Sequence, residues 1–258
     1  MPKDPGQAPA QLASAIPNGK YSDLVVECDG HSWRVHKAVL CTQSSFFTKA
    51  CEGNTWNEAS SGIVTLPDDH PEAVCAVMQY LYTSDYQVKS TPGQTPTLEP
   101  LVLDVLVYTL ADKLDVQPLV QFAAKRFCVR LQGMQSELWK TAAFPEAIRE
   151  LYLNAPDTDR KMHKTVMEIS TAHAVKLLTE SYGLEFRKVV EEVKTFGTEF
   201  QLAAISRRQD YVDGAARYFC SNRSKVVILP EDQPSCPACK KPEAHYAYSK
   251  THFRIEQW

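Results

Sequence analysis

The chain has no apolar run that approaches the ~20 residues needed to cross a bilayer, so no stretch of it reads as a membrane helix. It opens MPKDPGQAPAQ, without the apolar core of a signal peptide. It also lacks a basic field. Its 28 lysines and arginines face 31 aspartates and glutamates, a formal charge of −3, and net charge therefore does not draw nucleic acid to it. Finally, it lacks the short patterns of common active sites. No GxSxG, HExxH, glycine-rich phosphate loop or DxD pair stands in a sensible context. The expectation is a non-enzymatic protein of the cytoplasm or nucleus with no membrane association. Its eight cysteines are then thiols or metal ligands, not disulfides. Cys28, Cys41, Cys51, Cys75 and Cys128 have apolar neighbours and are expected to be small buried hydrophobes.

What is present is ordinary for a folded chain. The 258 residues are 44% hydrophobic and 23% charged, enough for one large or two small domains. The stretch from Tyr21 to Tyr86 carries the organisation. Leu24, Val26 and Cys28 alternate with Val25, Glu27 and Asp29 at the period of a strand. Asp29-Gly30 is a two-residue hairpin signal, and Trp33 and Val35 alternate on the returning strand. Val39, Leu40, Phe46 and Phe47 read as short buried helical turns, and Ile63, Val64 and Leu66 as a third strand. Asp69 with Glu72 fits a capping box, with Pro71 in the first turn. Val74, Val77, Met78 and Leu81 then mark one helix face. This is an α+β module.

Its motifs resemble the BTB/POZ family in its fungal form. They are SDL at 22–24, VHKAVL at 35–40, SSFF at 44–47, ACEG at 50–53, IVTLPDD at 63–69 and YLYTSDY at 80–86, with ADKLDVQPLVQFAAKRF at 111–127 matching the closing helices. The resemblance implies a BTB/POZ fold over residues 18–131, a small sheet with its hairpin packed on a cluster of helices. It implies self-association as a homodimer or larger, and docking to a partner. In many members the partner is a cullin, and the protein recruits substrates to a ubiquitin ligase. The implied cullin-facing residues are Ala50 and Glu52, with the loop Ser84, Asp85 and Tyr86. Ala50 is a small stand-in for the usual large apolar residue. Asp23, His36 and Lys37 are implied to lie near the dimer-facing groove and to organise the fold. No MATH, kelch or zinc-finger array is present to select a substrate.

Around that core, residues 1–17 read as a flexible tail and 87–100 as an inserted polar loop. Residues 132–214 form a helical C-terminal region with stretches near 135–152, 157–180 and 184–209, packed on one another or on the core. Phe186, Val189, Val190, Val193 and Phe200 form an apolar stripe too short for a coiled coil. Residues 215–258 read as a zinc-binding tail. KVVIL at 225–229 is a short strand, and Cys236-x-x-Cys239 has the spacing of a zinc knuckle. Cys220 upstream and His245 downstream complete a structural tetrahedron, with His252 in reserve. Lys240, Lys241, Lys250 and Arg254 interleave with Tyr246, Tyr248, Phe253 and Trp258. Such a pattern suits single-stranded nucleic acid, so the alternative is a nuclear scaffold whose tail touches nucleic acid. A zinc knuckle with a solvated face accounts for the same residues, and the acidic net charge favours it.

Overall fold

The computed structural model describes residues 19–52, 61–87, 97–133, 136–156 and 160–206 with their side chains, and residues 207–213, 215–220 and 225–230 as backbone. Strand β1 (Leu24–Cys28) turns at Asp29-Gly30 into β2 (His31–Val35). Both turn residues have positive φ, 42° and 73°, which a type I′ hairpin needs and which Asp-Gly supplies cheaply. The register runs from Leu24↔Val35 to Cys28↔His31. Strand β3 (Ile63–Thr65) joins the other side of β1 in parallel, giving the order β2-β1-β3.

Two short helices, α1 (Lys37–Leu40) and α2 (Ser45–Glu52), fill the crossover between β2 and β3. Ser44 explains the SSFF motif. Its hydroxyl oxygen accepts from the Phe47 N–H, capping α2, while its own O–H donates to the Leu114 carbonyl at 2.5 Å. Phe47, three residues on, is fully buried.

Helix α3 (Pro71–Thr83) corrects one expectation. Its N-cap is His70, whose ring accepts from the Glu72 N–H, and the expected Asp69–Glu72 capping box does not form. Both carboxylates are engaged elsewhere. Asp69 pairs with Lys113 at 2.6 Å. Glu72 accepts from the Thr97 N–H and hydroxyl and the Leu98 N–H, across 25 and 26 residues. It thereby clasps the far end of the inserted loop, whose residues 88–96 lie outside the described set, as does the 1–17 tail.

Helix α4 (Pro100–Lys113) is buried on nearly every side, the pattern of a central helix. It packs against α3, α5 (Gln117–Gln132) and α6 (Ala143–Leu153), and α5 packs in turn on α7 (Lys161–Ala172). Of the helices beyond Gly133, α6 and α7 therefore rest on the core, one of the two packings expected. All three long helical stretches are broken, however, the first into a 3-10 turn (Leu138–Lys140) and α6. The second divides at His173 into α7 and α8 (Ala174–Thr179), and the third at Val193 into α9 (Leu184–Glu192) and α10 (Lys194–Asp213). Residues up to Gly197 form one compact unit and those from Thr198 a second. Within the second, β4 (Ala215–Cys220) pairs antiparallel with β5 (Lys225–Pro230).

Of the five cysteines expected to be buried, Cys28 and Cys128 are, while Cys41, Cys51 and Cys75 are partly exposed. Burial pushes the Cys41 thiol up to about 11, with the neighbouring Cys51 adding to the effect.

Candidate interaction surface

Asp23, His36 and Lys37 come together, and their contacts are those of a fold lock. The Asp23 carboxylate accepts from the Lys37 N–H at 2.8 Å, bracing the start of α1. The His36 ring lies between the Lys20 carbonyl, 2.8 Å from Nε2, and the Tyr82 hydroxyl, 2.8 Å from Nδ1. A carbonyl only accepts, so Nε2 carries the hydrogen and Nδ1 accepts from Tyr82. The Tyr82 oxygen then accepts from the His36 N–H at 2.9 Å. The hairpin is thereby fastened to α3.

The motif YLYTSDY ends in a second lock. Ser84 takes the left-handed conformation that closes α3, with φ of 58°. Asp85 is exposed and pairs with Arg126 of α5 at 3.0 Å. Tyr86 departs from the expectation of a partner-facing side chain. It is 1% exposed, and its hydroxyl donates to Asp104 at 2.7 Å. Asp104 is fully buried and also accepts from Arg130 at 2.6 Å. Burial pushes the Asp104 carboxyl up, against the pull of the Arg130 and Arg126 guanidiniums. Burial and the Asp104 charge together push the Tyr86 phenol well above its ordinary range. The Arg126 guanidinium lies 4.3 Å from the Tyr86 ring centre, and its Nη1 also donates to the Tyr86 carbonyl. Asp85 and Ser84 are left as the loop's exposed part.

Ala50 and Glu52 lie on α2. Glu52 is exposed, and Ala50 lines a groove of about 440 Å³ with Phe46, Lys49, Val64, Asp112 and Gln117. The groove runs between α2, β3 and the junction of α4 with α5. Its walls are firmly held. Ser45 donates to Asp115 at 2.5 Å, a bond that keeps the Asp115 carboxyl below the usual range. Asp115 itself has φ of 54°, the tight turn between the two helices. Gln117 at the start of α5 belongs to this groove, and Arg126 to the Asp85 loop, so about 14 Å of helix rise separates the two patches.

Ser44, Asp104 and the Arg126–Arg130 pair are structural anchors that motif reading passed over. Asp104 left a signal, a lone carboxylate inside the apolar run LVLDVLVY. Cys220 is the end of β4, opposite Lys225, while Cys236, Cys239, His245 and His252 lie outside the described residues. Pro230, opposite Ala215, ends β5 at the other end of the hairpin from Cys220.

Residues 14–131 match the family model of the BTB/POZ domain. Among curated proteins, a BTB/POZ domain-containing protein of Arabidopsis thaliana is 30% identical over 117 residues, 45% of this chain. The matched stretch covers only 14% of that plant protein. Among solved structures, the BTB domain of zebrafish PATZ1 aligns over 47% of this chain and 88% of its own, at 16% identity and a TM-score of 0.37. The BTB domain of human gigaxonin aligns over 49% of this chain and 95% of its own, at 16% identity and a TM-score of 0.36.

Proposed function

We propose, on the match of residues 14–131 to the BTB/POZ domain, that the chain is a non-enzymatic interaction protein that associates with itself and recruits substrates to a cullin ubiquitin ligase. One observation supports the docking face above others. Ala50 and Glu52 share α2, with Ala50 lining the groove beside Phe46 and Val64 and Glu52 exposed. Where the resemblance puts a large apolar side chain, a methyl group leaves open space. The partner then supplies the apolar side chain and Glu52 the charge beside it. Glu52→Lys should abolish capture of the chain by a purified cullin N-terminal region and leave the melting temperature nearly unchanged, since an exposed substitution costs under ~0.5 kcal/mol. Full capture by the variant would remove α2 from the interface.

The proposal extends to the C-terminal tail, where Cys220, Cys236, Cys239 and His245 hold one structural zinc. The spacing of Cys236 and Cys239 supports it. Elemental analysis of protein purified without added metal should find the zinc, and Cys236→Ser should lose it while the BTB region stays folded. Zinc-free protein with a protease-resistant tail would contradict it. The proposed location is the cytoplasm or nucleus, and among the described residues no helix is long and apolar enough to cross a membrane.

A further inference from the structure

A second groove, of about 380 Å³, runs between α4 and α6. Its floor is the row Val102, Leu106 and Leu110 of α4, and its wall the row Glu146 and Glu150 of α6 with Asn154, the residue that caps it. Both rows step by four residues, so each follows one helix face for about 12 Å. Asp68 and Asp69 close one end, in the turn before α3. Leu98 and Leu106 are half-buried and Val102 and Leu110 buried, so the groove is apolar at its base and open above.

Its charge is one-sided. Asp68, Asp69, Glu146 and Glu150 face it along with His70, whose ring caps α3, and Lys113 on Asp69 is the one lysine or arginine paired to any of them among the described residues. Glu150 accepts from Asn154 at 2.7 Å, which fixes it on the wall. Glu146 sits in the first turn of α6, where the helix dipole favours it, yet no cation meets it among the described residues. An apolar channel two helical turns long, with a carboxylate on each turn of one wall, has a definite complement. That complement is a short helix with one apolar side chain between two cationic ones spaced one turn apart.

We propose that this groove docks a basic, apolar-anchored helical segment of another protein. It is distinct from the α2 face. It uses α6, which lies beyond the matched residues 14–131, so it gives the helical region a role of its own. Failure of either proposal leaves the other standing.

The probe is a fluorescein-labelled helical peptide with two lysines at i and i+4 flanking a leucine, titrated into the full chain by anisotropy. The expected result is saturable binding that weakens with salt and drops about tenfold, or ~1.4 kcal/mol, in the double variant E146K/E150K. The control E168K/E191K makes the same charge change on exposed residues of α7 and α9 and should bind like the unaltered chain. E146Q/E150Q, which adds no repulsion, should fall between them. Melting temperatures establish that each variant is folded. An equal loss in the control would mean diffuse attraction to an acidic surface and would overturn the proposal. So would undiminished binding by E146K/E150K, equal binding of a peptide with glutamates in place of the lysines, or no binding at all.

Discussion

At the residue scale, the motif YLYTSDY divides between exposed and buried roles, and the division predicts how its mutants behave. Tyr86→Phe removes a buried hydroxyl and leaves Asp104 short of one donor, with Arg130 still in place. It should cost about 1–3 kcal/mol, the penalty of an under-satisfied buried group. Asp85→Ala touches an exposed pair and should cost under ~1 kcal/mol. Denaturant midpoints rank them, and a larger loss from Asp85→Ala would show the network misassigned. Glu72 predicts a pH effect. Partial burial works against its ionisation, but the hydrogen bonds from Thr97 and Leu98 outweigh this and hold its carboxyl below the usual range. A carboxyl so depressed stabilises the fold above its unfolded pKa of about 4.3 and loses that contribution as pH falls. Glu72→Gln should therefore lower the melting temperature near neutral pH and flatten its decline below about pH 5. An acid limb that stays unchanged would mean the clasp contributes nothing.

At the element scale, the close approach of α9 and α10 rests on Gly197. A Cβ built there would lie 2.3 Å from the Val190 carbonyl oxygen. Gly197→Ala should force the helices apart and cost about 1–3 kcal/mol, as other overpacked sites do. A melting temperature equal to that of the unaltered chain would contradict the contact. The same pair of helices shows where sequence runs out. Phe186, Val189, Val193 and Phe196 are all buried and stay nearly in phase, so the pattern reads through the break at Val193. The hairpin was legible because Asp-Gly answers a backbone demand for positive φ. The capping box was misread because Asp69 and Glu72 are claimed by Lys113 and Thr97, partners that spacing alone does not reveal. On the site, the motif puts Ala50 and Glu52 after the second short helix, whereas they form the last turn of α2 itself. The burial of Tyr86 was not legible, since an aromatic in a polar loop looks exposed until Asp104, 18 residues on, is seen beneath it.

At the scale of the whole molecule, the locks around His36 and Tyr86 are internal, which leaves α2 with its groove, the exposed Asp85 loop and the α4–α6 trough as outward faces. The cullin is proposed for α2 and a basic helix for the trough, so the two dockings should be separable by mutation, and a change at Glu52 on α2 should leave self-association intact. One mass measurement tests this most directly. Light scattering coupled to size exclusion should give the chain at least twice its 29.0 kDa. Adding a purified cullin N-terminal region should raise that mass by one cullin fragment per chain. Glu52→Lys should keep the self-associated mass and lose the increment. A species of 29.0 kDa that does not change when cullin is added would contradict both self-association and cullin docking.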